Sequence, residues 1–457
     1  MIPETSSSAA ALDSGTRELT RVLVLLSLTG RLGARRPALG SLVDRFDFGR
    51  FALHLKSSEA VLPVPVLVEE VAPARLRLPH GDHGLDLASV QIAVLATPRG
   101  DMTLALDCGF AGQTPPEALA AWLATTCFDR DRIMLGDQPL PAELNRRLTS
   151  VEPLAFGQNV HQLVFPGGEL RQDLLGADPA EAPAVLHRIL YRGRMGAPLA
   201  SVPAVPPNLR NHGATLSAHG RGVSVHAGWA EHVENGLTLV ALGMVSALAV
   251  LQRTRLAAFE TMRANEQAVA QSPYQIRSLI SRLSDGVNEL QLDLAFGVEA
   301  YVDSLLIPEM VMEVFQSSLR DALGIPDSLE NSARMVERLT SVISARSAAL
   351  EAELAERDDR RDRTVSALVA VATGIALPPT LLLAFFGVNA STVDNRRSIF
   401  DLHAYGWAYV LAWLPFIALA VVGYLLLRRV SRRSGSLLDP PTNAPSPVPA
   451  PRPPSGG

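Results

Sequence analysis

Two long apolar stretches near the C-terminal end dominate the hydropathy pattern: Thr364–Val388 and Ala404–Leu427, neither of which holds a charged residue. About 20 apolar residues suffice to carry a helix across the hydrocarbon core of a bilayer, so both stretches are expected to span a membrane. A third run, Gly236–Leu251, is shorter and directly follows Glu231 and Glu234. It is expected to be a buried helix of the soluble part.

Before residue 230 the pattern alternates between short strands and helices. Val22–Leu28 reads as a strand. Ser89–Thr97 and Met102–Asp107 flank Pro98-Arg99-Gly100-Asp101 as a hairpin, Pro116–Cys127 reads as a helix, and Gly222–Trp229 reads as a strand after a loop over Val202–Gly213. From Ala230 the period becomes helical, with breaks at Pro273, Pro308 and Gly324-Ile325-Pro326. Asp327 with Glu330 has the spacing of a capping box, and nothing interrupts the helix that follows until the membrane. Val336, Leu339, Ile343 and Leu350 give that helix an apolar face. From Ser328 to the first span it extends about 54 Å at 1.5 Å per residue. A rod of that length is expected to bundle with copies of itself.

The fold class expected is an α+β membrane protein: an N-terminal mixed α/β cytosolic domain and a long stalk helix continuous with the first of two C-terminal transmembrane helices. The expected divisions are a disordered N-terminus (1–16), the α/β domain (17–230), a helical region (231–326), the stalk (327–363), the first span (364–388), an extracytoplasmic loop (389–403), the second span (404–427), and a basic, then Pro-rich disordered tail (428–457).

Charge fixes the orientation. Arg357, Arg360, Arg361 and Arg363 precede the first span, and Arg428, Arg429, Arg432 and Arg433 follow the second, whereas Arg396 and Arg397 in the connector are balanced by Asp394 and Asp401. The positive-inside bias therefore places both termini in the cytoplasm. Tyr405, Trp407, Tyr409 and Trp413 fall at the outer end of the second span, where amphipathic rings favour the interface. Lys56 is the only lysine, which suggests a GC-rich bacterial source and hence a bacterial inner membrane. The net charge of -5 offers no basic field for nucleic acid. Cys108 and Cys127 are expected to be buried thiols. His212, His219, His226 and His232 are expected to be surface or core residues and not ligands, and the charge run Glu351–Arg361 to be a solvated helix surface. No phosphate loop, nucleophile elbow or paired catalytic motif is present, so no enzyme activity and no cofactor are expected.

The end of the first span reads Thr373-Gly-Ile-Ala-Leu-Pro378-Pro-Thr380-Leu-Leu-Leu-Ala-Phe-Phe386-Gly387-Val388-Asn389. This resembles the CorA family of divalent-cation transporters, whose first membrane helix carries Pro-x-Thr and ends in an aromatic followed by Gly-Met-Asn. The resemblance covers about residues 327–430. It implies a homopentamer in which the first span lines the pore, the second faces lipid, and Gly387, Val388 and Asn389 form the selectivity loop that meets the metal. Val388 replaces the family's methionine, as in its zinc-transporting members, and the connector lacks the family's Met-Pro-Glu-Leu element. The metal therefore stays open between Mg²⁺, Zn²⁺ and Co²⁺.

Ser366, Thr373, Thr380 and Gly387 recur every seven residues and would form one small, polar stripe on a helix. In a symmetric bundle this stripe is expected to line the pore, with Leu377 beside it as an apolar constriction; helix–helix packing is the other use of such residues. Mg²⁺ gives up its water reluctantly, so a ring of neutral Asn389 oxygens suits the hydrated ion. Transport would be passive, since a divalent ion entering a negative cell gains about 4.6 kcal/mol at 100 mV. The alternative is a membrane-anchored oligomeric sensor or interaction protein that keeps the CorA-like hairpin without transport.

Overall fold

The run Val22–Leu28 becomes the centre of β1 (Thr20–Arg31), almost every residue of which is buried. A strand covered on both faces needs no polar alternation, which explains the continuous apolar reading. The computed structural model describes residues 19–32, 39–148, 152–176, 182–193, 214–267, 273–302, 307–388 and parts of 396–424. The segments expected to be disordered (1–16 and the Pro-rich tail), the loop Val202–Gly213 and the arginines from Arg428 onward lie outside the described residues.

Short helices α1 (Leu42–Arg45) and α2 (Ala52–Ser57) lead to β2 (Val64–Val71). The expected hairpin is present: β4 (Asp86–Ala96) and β5 (Asp101–Ala111) pair antiparallel, ending at Ala96↔Met102. Gly100 closes its turn at φ +85°, a conformation that L side chains rarely adopt, and donates its N–H to Thr97 O at 2.8 Å. With β8 (Phe156–Phe165), β9 (Leu216–His219) and β10 (Val223–Ala227) these strands form one seven-stranded sheet in the order β2-β4-β5-β1-β8-β10-β9. Its pairs are antiparallel except β8 with β10. A second, three-stranded sheet joins β3 (Leu76–Arg77), β6 (Met134–Leu135) and β7 (Gln138–Pro139).

One face of the large sheet presents Val22, Val24, Leu26, Ile92, Val94, Leu104, Leu106 and Phe110 to the helices α3 (Pro116–Phe128), α4 (Leu140–Arg147), α5 (Gly168–Gly176) and α6 (Ala182–Leu190). Trp122 on α3 is fully buried here, edge-on to Phe110 at 5.2 Å, a geometry that adds about 1 kcal/mol beyond area burial. The opposite face is covered by α7 (Glu231–Gln267), pinned through Thr103 Oγ1 to Ser246 Oγ at 2.9 Å and Asn159 Nδ2 to Gln252 Oε1 at 3.2 Å. Helix α8 (Pro273–Leu294), a π-helical turn (Ala295–Glu299), α9 (Ala300–Val302) and α10 (Met310–Ala322) follow and pack around α7.

Gly236–Leu251 is thus buried, as expected, inside a 37-residue helix that ends at Gln267, ahead of the break expected at Pro273. Among the described residues, Glu231–Ala264 is the one helix long and apolar enough to cross a membrane, and most of it is covered by protein. Its apolarity is that of a helix laid across a sheet.

Helix α11 runs unbroken from Ile325 to Val388, 64 residues. The capping box placed at Asp327 and Glu330 does not form, because the helix starts two residues earlier: Ser328 N–H already bonds Gly324 O at 3.2 Å, and Asp327 sits within the first turn. Gly324, at φ +66°, ends the preceding segment, and Pro326 needs no donor in a first turn. Asp327 instead places its carboxylate near the positive end of the helix dipole. The chain divides into two compact units, Met1–Ala348 and Ala349–Gly457. In the first, Val336, Leu339 and Ile343 are buried, as their spacing predicts. In the second, Glu351–Arg363 is exposed apart from half-buried Leu354 and carries the i,i+4 pairs Glu353–Arg357 and Glu356–Arg360, the solvated surface read from the sequence.

Candidate functional site

Ser366, Thr373, Leu377 and Thr380 all lie on the second-unit part of α11, and the seven-residue spacing sets Ser366, Thr373 and Thr380 in one line along it. The three polar residues are exposed. Thr373 Oγ1 donates to Val369 O at 2.8 Å, and Thr380 Oγ1 donates to Leu377 O at 2.8 Å and to Ala376 O at 3.2 Å. Each threonine has turned its proton into its own helix and keeps oxygen lone pairs for whatever faces it. Leu377 is 40% exposed beside the stripe, and Val365, Leu368, Val369, Val371 and Leu381 are at least half exposed on the same helix. Gly387 and Val388 close α11, with their side-chain surroundings outside the described residues, and Asn389 lies outside them altogether. The described residues between 402 and 424 are helical and also expose large apolar groups, among them Trp407, Val410, Leu414 and Ile417.

The first unit holds three polar clusters on the α7 side of the sheet. The largest joins four elements. Asp293 on α8 accepts from Arg31 at the end of β1, from Arg99 Nε in the hairpin turn at 3.0 Å and from Arg253 Nη2 on α7 at 3.0 Å; Asp101 pairs with Arg253, and Glu289 with Arg99. Burial raises the Asp293 carboxyl, but the fields of Arg253 and Arg31 outweigh it and hold the group below its ordinary value. A cleft of ≈ 530 Å³ opens beside this cluster, with Asn159, Gln252 and Glu152 on its walls. Since each arginine already has a carboxylate, the cluster acts as a clamp fixing α7 and α8 to the sheet end. Asp293→Asn is expected to cost about 3 kcal/mol, because it leaves three guanidinium groups with one buried anion too few; urea unfolding of the purified chain measures it.

The second cluster is Arg21 on β1, which donates Nε to Asp107 Oδ2 at 2.9 Å and Nη1 to Glu234 Oε2 at 3.3 Å. Burial pushes the Glu234 carboxyl up to about 7, against the opposing field of Arg21, with Glu231 and Asp107 adding to the rise. The third is a row of buried histidines on β8, β9 and β10. His161 Nε2 lies 2.8 Å from Ser224 Oγ and His226 Nδ1 2.8 Å from Ser217 Oγ, while the rings of His219 and His226 stand edge-on to Phe315 of α10. Burial holds His161 and His226 at about 3, and lowers His219 too, so the row is uncharged at neutral pH. The chain matches no family model, no curated protein and no solved structure.

Of the spaced histidines, expected to be surface or core residues, His219 and His226 lie in the core; His232 is half-buried against Phe51 at 5.5 Å, and His212 lies outside the described residues. Among the described residues no group of three His, Cys, Asp or Glu is placed to hold a metal ion. Cys108 is buried, and its thiol is pushed well above the usual range by that burial; Cys127, expected to be buried as well, is only half so, at the end of α3 beside an exposed turn. Sequence reasoning missed the Arg31–Arg99–Arg253–Asp101–Asp293 clamp. Its members are up to 262 residues apart, and the one local hint, Asp101, read as part of a turn.

Proposed function

We propose that the protein is a homopentameric, CorA-like membrane protein that conducts divalent cations passively down the membrane potential, with Mg²⁺ as the first cargo and Zn²⁺ or Co²⁺ as the others. Residues 364–388 and 404–427 are its two spans, both termini face the cytoplasm of a bacterial cell, and lipid and four further copies are its partners. The observation that carries this reading is the Ser366–Thr373–Thr380 stripe on an otherwise exposed apolar stretch of an unbroken 64-residue helix. An apolar surface of that extent is not left to water, and lipid or other copies would cover it. Threonines whose protons are bonded internally face the axis as acceptors, the polarity a hydrated cation requires. Gly387-Val388-Asn389 then falls at the outer mouth, where Asn389 oxygens would replace part of the ion's outer hydration.

The test is flux. Purified full-length chain in liposomes holding a Mg²⁺-sensitive dye is expected to admit Mg²⁺ faster when the interior is made negative. Absence of Mg²⁺, Zn²⁺ and Co²⁺ flux through a correctly assembled pentamer would refute transport. It would leave the second reading, a membrane-anchored oligomeric sensor or interaction protein, which the ≈ 530 Å³ cleft beside Asp293 favours.

A further inference from the structure

Among the described residues, two that are not glycine hold a positive φ: His83 at 54° and Arg192 at 55°. They lie more than a hundred residues apart in the sequence, yet both line one cleft of ≈ 440 Å³ in the first unit, floored by the small residues Ala118, Ala120 and Ala121 of α3. Left-handed backbone at bulky residues is costly and persists where the surroundings enforce it, most often at binding and catalytic sites. Arg192 takes the position past the end of α6 where glycine is the default, although Gly193 is the next residue.

The charge in this cleft is unbalanced. Arg192 donates Nε to Gln162 Oε1 and Nη2 to Gly222 O, each at 2.6 Å, and its guanidinium lies 5.8 Å from the Phe128 ring. All these partners are neutral. No described carboxylate pairs with it, and its Nη1 makes no hydrogen bond among the described residues. Arg188 meets Glu117, the one carboxylate on the walls, and its Nε is buried without a hydrogen-bond partner. His83 is held by its Nε2, 2.8 Å from Thr125 Oγ1. Residues 194–213, which follow Gly193, contain no Asp or Glu that could supply the missing anion. A half-buried guanidinium with only neutral partners has an unmet demand for negative charge.

We propose that this cleft binds a small phosphate-bearing anion, with Arg192 as the principal donor and Arg188 and His83 beside it. Two guanidinium groups against one carboxylate suit a ligand with more than one negative charge, and the planar fork of arginine matches phosphate oxygens. The site lies wholly within the first unit and stands or falls independently of ion transport.

Titration calorimetry of the full-length chain in detergent, with inorganic phosphate and separately with acetate, tests it. Saturable phosphate binding in the millimolar range or tighter is expected, with acetate weaker. Arg192→Gln is expected to abolish it, and Arg188→Gln and His83→Gly each to weaken it about ten-fold, the worth of one charge-assisted hydrogen bond. His83→Gly also guards against a folding artefact: glycine adopts φ 54° without strain, so this variant is expected to remain folded in phosphate-free buffer while binding phosphate less well. No saturable phosphate heat, equal affinity for acetate, or unchanged phosphate affinity in both His83→Gly and Arg188→Gln would each overturn the assignment.

Discussion

Between pH 4.5 and 3 the first unit is expected to lose about 4 kcal/mol of stability, enough to unfold a domain of ordinary stability. His161 and His226 are fully buried, and burial holds both at about 3 against an ordinary 6.5. An unfolded chain binds a proton at each site below 6.5 while the folded chain refuses it, so each histidine costs about 1.4 kcal/mol per pH unit as the pH falls through that window. Glu234 works in the opposite sense. Its folded value of about 7 against 4.5 means that the folded chain holds the extra proton, so acidification from 7 to 4.5 gains stability there and offsets much of the histidine loss. Below 4.5 that compensation is exhausted, and Asp293, held low by Arg253 and Arg31, begins to lose its own stabilisation. The expected profile is shallow down to pH 4.5 and then steep. Circular dichroism against pH reads it, and the double variant His161→Gln/His226→Gln is expected to flatten the steep limb. A steep limb unchanged in a folded double variant would show that the histidines do not drive acid unfolding.

Replacing Asn389 by Ala is expected to reduce divalent-ion flux by roughly 10³- to 10⁴-fold under the proposed pentameric reading. One acceptor worth about 1 kcal/mol is lost from each of five subunits at once, and a barrier raised by about 5 kcal/mol slows passage by that factor. Asn389→Asp keeps the size but adds up to five negative charges to one ring, and is expected to change selectivity or trap the ion. Assembly should survive both, because the proposed reading places the residue at the water interface. A correctly assembled Asn389→Ala protein with full flux would remove Gly387-Val388-Asn389 from the conduction path, whatever the two spans do.

The elements of the first unit were legible where one physical demand acts alone. Val22–Leu28 read as a strand, and the structure adds that it is covered on both sides; Pro98–Asp101 read as a hairpin turn, and Gly100 sits where the chain needs positive φ. Boundaries that depend on competing signals were less legible. Asp327 and Glu330 have capping-box spacing, yet the helix begins at Ile325 because Gly324 had already ended the preceding segment. The helix from Ala230 toward Pro273 was legible, but the place of Arg253 on it was not, since that depends on Asp101 and Asp293 elsewhere in the chain. Strand order was not legible at all: nothing local tells β1 to lie between β5 and β8. The Ser366–Thr373–Thr380 stripe was visible as a period of seven. The Asp293 clamp and the His83–Arg192 cleft were not, because each depends on distant segments meeting.

The central position of β1 has a consequence during synthesis. This strand leaves the ribosome first among the ten, but β8, one of its two neighbours, begins about 125 residues after β1 ends. At translation rates of 5–20 residues per second, an apolar Val-Leu-Val-Leu-Leu segment therefore waits about 6–25 s with its β8-side hydrogen-bonding edge open, and β5 reaches the other edge only after about 70 further residues. Neighbouring nascent chains on one messenger expose the same segment over the same interval. The co-translational hazard of this protein is therefore strand capture between sister chains at β1, long before either apolar stretch at the C-terminal end has been made.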